Sequence, residues 1–224
     1  MYQIKSSLQD PTKVKVLMSF GAVNGGFELA WDIHNEIEKK LGKNSVYLDA
    51  ISLKDTAGTE YNWDSNLGIY KMSNPDWHTF YEKAMKNSVC MIFLITNVWL
   101  KSFYCWHEYE MLKKQIIDPI RPVIKPIFIL FPEAIETINT KEIITVCNPD
   151  KSSERIIKVD EYCEDLGKFF NFYDNKDHFE VVNSHLSAPG RVTVEKETYS
   201  YNYQYTLTES EMDRLKIAVV SSTR

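Results

Sequence analysis

"NSVCMIFLITNVWLKSFYCWHEYEML", Asn87 to Leu112, reads as a strand, a loop and a helix. Val89 to Thr96 is a nearly continuous apolar run. Such runs suit a strand covered on both faces, as in a parallel sheet. The residues beyond it take helical spacing, with Cys105, Leu112 and Ile116 along one side. Glu108 stands three residues after Cys105 and four before Leu112, so the helix carries a carboxylate at the border of its apolar stripe. Spacing alone describes an edge glutamate whose head reaches water. The nearby strand end offers the alternative, a carboxylate placed for chemistry.

The same alternation extends both ways along the chain. "VKVLMSF", Val14 to Phe20, is a short apolar run that ends in the glycine-rich "GAVNGG". It predicts a strand and a tight turn. An amphipathic helix follows, with Phe27, Ala30, His34, Ile37 and Leu41 at spacings of three and four and Gly42 as its stop. "SVYLDAI" predicts a second strand. "SLKDTAGTEYNWDSNLGIYKMSNPD" reads as a long polar loop, and such loops in compact domains are usually functional or disordered. Its Tyr61, Trp63 and Tyr70 weigh against plain disorder. Asn74 and Pro75 read as a helix cap and first helical position. Trp77, Tyr81 and Ala84 mark one face of that helix. "VIKPIFILF", Val123 to Phe131, is another buried strand, in which Pro126 predicts a bulge or an edge position.

Strands and helices thus alternate from Val14 to Phe131, which predicts a parallel sheet with helices on both faces. Ligands of such sheets bind outside the carboxyl ends of the strands. Gly21, Asp49 and the start of the Glu108 helix all gather at that edge. Beyond Phe131, "IITVCN" predicts a short fifth strand and "DEYCEDLGKFFNFYD" a closing helix. "TYSYNYQYTL" alternates strictly, with Tyr199, Tyr201, Tyr203, Tyr205 and Leu207 on one face. It predicts a strand paired with "RVTVEK" as a hairpin. That face reads as packed or solvated or, more sharply, as a protein-binding surface. Thr208 and Glu211 form a capping-box pattern that opens a final helix. The expected division is an α/β domain over 1–175 and an accessory hairpin–helix extension over 176–224.

Composition narrows the partners. The net charge is -5 and no long basic run occurs, so neither nucleic acid nor an anionic membrane is an expected partner. No apolar stretch reaches the roughly 18 residues of a membrane span, and the first residues lack the apolar core of a signal peptide. Cys90, Cys105, Cys147 and Cys163 form no C-x-x-C pair, so no metal site is expected. A reducing cytoplasm is the expected setting. His34 reads as a packed histidine in its helix stripe. His107 lies about 100° around the helix from Glu108.

Three stretches resemble, in order, elements of the Toll/interleukin-1 receptor (TIR) domain family. "VKVLMSFG" is similar to its first strand, and "YLDAISLKDTAG" to its second strand and BB loop. "NSVCMIFLITNVWLKSFYCWHEYEML" is similar to its third strand and following S-x-W-C-x-x-E-L signature. Ser102, Tyr104, Cys105 and Glu108 fill signature positions, with Tyr104 in place of the tryptophan and Tyr109 in place of the leucine. The resemblance runs from Val14 to Phe172 and implies a flavodoxin-like parallel sheet flanked by helices, here with the C-terminal hairpin and helix added. In the NAD-cleaving branch of that family the matching glutamate is catalytic. The resemblance therefore implies Glu108 as the catalytic residue and NAD as substrate, with no cofactor. It matches Ser19, Phe20 and Gly21 to the loop lining the nicotinamide pocket and Tyr104 to the ring that stacks on substrate. Asp49 is expected to hold the BB loop or touch substrate, and Trp77 to be a substrate contact or simple core. Trp63 and Asp64 fall in an insertion with no family counterpart.

The architecture resembles the signal-making TIR subunit of Thoeris-type anti-phage systems. That implies self-association between TIR domains and a separate effector protein that reads the product. Two other readings stand beside it: a non-enzymatic TIR scaffold, and an enzyme like the nucleoside deoxyribosyltransferases.

Overall fold

The central strands are buried almost throughout, and their successive residues face opposite sides of the sheet, which sets the layers. The computed structural model describes residues 10–22, 25–48, 60–64, 69–73, 77–117, 124–131, 133–134, 137, 143–147, 154–158, 179–181, 190–194, 197–201 and 205–223. In chain order the elements are β1 (Val16–Phe20), α1 (Gly26–Leu41), β2 (Glu60–Asp64), β3 (Ile69–Ser73), α2 (Trp77–Met85) and β4 (Cys90–Ile95). Then come α3 (Asn97–Leu100), α4 (Phe103–Ile117), β5 (Lys125–Leu130), β6 (Ile143–Cys147) and β7 (Glu154–Lys158). β8 (Phe179–Val181), β9 (Gly190–Val194), β10 (Glu197–Tyr201) and α5 (Glu209–Ser222) complete the order.

The main sheet is parallel, in the order β1-β4-β5-β8. Val46 forms a parallel bridge to Val16 on the outer side of β1, and the Tyr47 N–H donates to the Val16 carbonyl at 2.8 Å. The expected second strand is therefore a single bridge within the described residues. With Val46 counted as the second parallel member, the order across the sheet is 2-1-3-4-5. That is the flavodoxin-like winding, whose switch point lies between its first and third strands. Here those strands are β1 and β4.

Alternate residues of β1, β4 and β5 feed two cores. Val16, Met18, Ile92, Leu94, Ile127 and Ile129 pack with Leu29, Ala30, Ile33 and Ile37 of α1 and with Leu215 and Val219 of α5. Leu17, Met91, Phe93, Ile95, Phe128 and Leu130 pack on the other side with Tyr81 of α2, Trp99 of α3, and Trp106, Tyr109 and Leu112 of α4. Burial on both faces is why Val89 to Thr96 lacks polar alternation. α1 ends at Gly42, whose φ of 95° is costly for any residue with a Cβ. α5 opens with the expected capping box: the Thr208 hydroxyl accepts from the Glu211 N–H at 3.2 Å. The Glu211 carboxylate accepts from the Thr208 N–H at 2.7 Å.

Several expectations change. The stretch read as a polar loop contains an antiparallel hairpin of β2 and β3, with Trp63 opposite Tyr70. Tyr61 and Trp63 alternate with polar residues and stand opposite Met72 and Tyr70 in the register. "IITVCN" forms β6, which pairs antiparallel with β7 and not with the main sheet. Pro126 lies in β5 opposite Met91 of β4. β5 is an interior strand, but its pairing with β8 spans only Phe128 to Leu130. Among the described residues Pro126 thus has a strand neighbour on one side, where its missing N–H costs no ladder bond.

The expected hairpin at the C-terminal end is present as β9 and β10, but β10 stops at Tyr201. Tyr205 leaves the strand pattern and is buried edge-on against Phe131, 4.9 Å between ring centres. β8 and α5 both lie beyond residue 175, and they pack into the main sheet and its core. The expected closing helix within 159–178 lies outside the described residues. Among the described residues no helix is long and apolar enough to cross a membrane.

Candidate active site

The carboxyl end of β1 is gripped from across the switch point. Ser19 points to the aromatic core and is fully buried. Its Oγ accepts a 2.8 Å hydrogen bond from the indole N–H of Trp99, 80 positions along the chain. The next residue, Phe20, is half-buried with its ring tilted against Phe27 at 6.4 Å. Its carbonyl accepts from the Cys105 thiol at 3.4 Å. Gly21 is buried, and a Cβ there would lie 2.5 Å from Val98 Cγ1 and 2.9 Å from the Trp99 backbone nitrogen. A Cβ on Gly26 would meet the Gly21 carbonyl oxygen at 1.9 Å. The glycines of "GAVNGG" thus allow two backbone segments to close on each other. They also turn the chain, with Gly25 at φ 87°.

α3 holds this grip because its own start is capped. Thr96 ends the apolar run, and its hydroxyl accepts from the Trp99 N–H at 3.1 Å. The Trp99 ring then packs edge-on against Phe93 at 6.1 Å and near Trp106 at 5.4 Å. The Trp106 indole N–H donates to the Leu100 carbonyl at 3.0 Å. Each buried indole therefore has a partner for its polar edge, as burial requires.

Glu108 sits one turn beyond Cys105 on α4 and is 6% exposed. An edge carboxylate reaching water does not describe it. On the helix its neighbours at three and four residues are Tyr104, Cys105, Met111 and Leu112. Cys105, Met111 and Leu112 are buried, whereas Tyr104 is 40% exposed. The stripe is closed toward the C-terminal end of α4 and open toward its start. That start faces the carboxyl edge of the sheet, since α4 follows β4. Tyr104 lies edge-on to Phe103, 5.9 Å between ring centres. The Glu108 helix and the Ser19 to Gly21 segment thus meet through Trp99 and Cys105.

Two expected site residues stay outside this geometry. Asp49 lies outside the described residues. Trp77 begins α2, which places its backbone near the same edge, and its side chain lies outside the described atoms. Trp99 was not singled out by its sequence position. Its signal was a tryptophan three residues past a buried strand, where the indole N–H demands a nearby acceptor.

The histidines take other roles. His34 is buried in α1, stacked on Trp31 at 5.8 Å and 3.4 Å from the Glu38 carboxylate. Burial lowers its pKa, against the pull of Glu38. His107 points away from the Glu108 stripe and meets His78 of α2, 4.9 Å between ring centres. It also stacks on Phe103 at 6.4 Å. Burial and then the facing His78 and Lys114 lower its pKa from the ordinary 6.5, while Glu110 and Glu82 oppose them. Among the described residues no group of three or more histidines, cysteines and carboxylates is arranged to hold a metal ion.

The sequence is 31% identical over 143 residues to the 3' cyclic ADP-D-ribose synthase HopAM1 of Pseudomonas syringae pv. tomato. The match covers 60% of this chain and 50% of that protein, so the chain spans about half the length of the curated relative. No protein-family model matches the chain. No solved structure matches it either.

Proposed function

We propose that this chain is a TIR-type enzyme that cleaves the nicotinamide–ribose bond of NAD, with Glu108 as the catalytic carboxylate. The observation that carries the reading is Glu108 itself: a buried carboxylate on the helix that leaves the switch point. The similarity to a cyclic ADP-ribose synthase supports the same chemistry. NAD is the substrate, and the reaction needs no further cofactor.

The scissile bond joins the pyridinium nitrogen of nicotinamide to the anomeric carbon of ribose. When it breaks, the bonding pair goes to the ring nitrogen and nicotinamide leaves neutral, so no general acid is required. Positive charge develops on the ribose, as in the oxocarbenium-like transition states of glycoside hydrolysis. A fixed carboxylate beside that charge stabilises it, and a site that excludes water makes the interaction stronger. The carbocation is then taken by water, or by a hydroxyl of the same molecule to close a cyclic ADP-ribose. In either case the attacking oxygen loses its proton.

Phe20 and Gly21 line the nicotinamide side in this reading, and Tyr104 offers its exposed ring to the substrate. Asp49 and Trp77 belong to the same proposed edge. A signalling role, with self-association and a separate protein that reads the product in anti-phage defence, extends the proposal. The test is nicotinamide release from NAD by wild type and Glu108→Gln, with the ribosyl product identified by mass spectrometry. Equal release rates would sink the assignment.

A further inference from the structure

The geometry points to Trp99 as a positioning residue for this site, acting through Ser19 to set the β1–α1 turn against the helix that carries Glu108. This rests on the NAD-cleaving reading above. Ser19 is fully buried, so it acts on substrate through the loop it anchors. Its hydroxyl is engaged by the Trp99 indole at 2.8 Å.

Three consecutive positions of β1 and its turn are held by three different contacts. Ser19 is held by the Trp99 side chain. The Phe20 carbonyl is held by Cys105, in the first turn of α4. Gly21 lies against Val98 and the backbone of Trp99. Trp99 takes part in two of the three, and Thr96 fixes its own backbone. The Trp99 indole and its hydrogen bond to Ser19 are thus one of the contacts that set the Gly21 segment against the Glu108 helix, beside the Cys105 thiol and the packing of Val98. A reacting group displaced by about 1 Å can lose on the order of 100-fold in rate. The indole N–H and its acceptor should consequently act as one unit.

Two variants isolate that bond. Trp99→Phe keeps a buried ring and removes the donor. Ser19→Ala removes the acceptor and little volume. Each is expected to lower kcat for nicotinamide release by about 10-fold to 100-fold with KM within about 2-fold, the pattern of an interaction expressed in the transition state. The double variant is expected to fall no further than the weaker single, because both lesions break the same contact. Amide hydrogen exchange over residues 20–26 is expected to quicken about 10-fold in both, as a locally released segment does. Ile33→Val, in the opposite core, loses stability without touching the contact and should leave kcat and exchange at wild-type values.

Slower turnover at wild-type KM together with faster exchange supports the assignment. Wild-type kcat in both single variants, with Glu108→Gln inactive, overturns it and leaves the NAD reading standing. Unchanged exchange in both also overturns it. If wild type releases no nicotinamide, or Glu108→Gln releases it as fast, the NAD reading itself falls. Exchange over residues 20–26 then decides the anchoring role alone.

Discussion

The two sides of the sheet are built from the same three strands yet differ in kind. Toward α1 and α5 the core is largely aliphatic, with Leu29, Ile33, Ile37, Leu215 and Val219 meeting Val16, Ile92 and Ile129. Toward α2, α3 and α4 it is aromatic, with Tyr81, Phe93, Trp99, Trp106, Tyr109 and Phe128. Phe93 stacks on Phe128 at 5.0 Å and meets Tyr109 edge-on at 6.0 Å. An aliphatic core needs only volume and shape. An aromatic one brings polar edges that must find partners. On this side the Trp99 indole donates to Ser19 and the Trp106 indole to the Leu100 carbonyl, both beside the switch point. The face that holds Glu108 is thus the one whose packing is directional.

The comparison can be broken most forcefully by truncating one large ring. Trp106→Ala should cost about 3–5 kcal/mol in urea unfolding and should lower nicotinamide release per folded molecule. Leu29→Ala, on the aliphatic side, should cost about 2–5 kcal/mol while the folded fraction keeps its kcat. Equal activity losses from the two would erase the distinction. Gly21→Ala sharpens it further. Its added Cβ meets Val98 and the Trp99 backbone, so it should cost about 1–3 kcal/mol and raise exchange in the neighbouring turn. Ile33→Val should cost about 0.5–1.5 kcal/mol, readable in a denaturation midpoint.

The smallest expected effect is a pH dependence. The folded state lowers the pKa of both His107 and His34, so below about pH 6.5 the unfolded chain binds more protons than the folded one. Stability from these groups is complete above that pH and is lost as pH falls through it. The thermal midpoint should therefore drop on acidification from about pH 7.5 to 6. His107→Gln should remove part of that slope and leave the share carried by His34. An unchanged slope in the variant would show that the burial of His107 contributes nothing to the pH dependence of stability.

Much of the frame was legible because periodicity is a local property. The apolar run from Val89 to Thr96, the stop at Gly42, and the Thr208 and Glu211 cap each depend on neighbours a few residues away. The β2–β3 hairpin carries a period of two, with Tyr61 and Trp63 opposite Met72 and Tyr70, but its two short runs sit among glycine and polar residues that read as a loop. β6 looked like a fifth sheet strand because its residues suit any strand, and its partner was decided by the approach of β7. Glu108 was visible as a residue of interest, but its burial was not. Helical spacing placed it on a border, and the packing of α4 closed that border over it.

Local spacing and apolar pattern by themselves determined the order of strands and helices, the glycine-rich turn after β1, and the helix on which the candidate carboxylate stands. Tertiary structure alone decided that Ser19 would be sealed by an indole 80 positions away. It likewise decided that Gly21 must admit Val98 and that the open end of the Glu108 stripe lies at Tyr104. The physical reason is the range of the forces involved. Backbone propensity and amphipathic period act over a few residues, whereas a buried hydrogen bond exists only once two distant surfaces have packed to within about 3 Å.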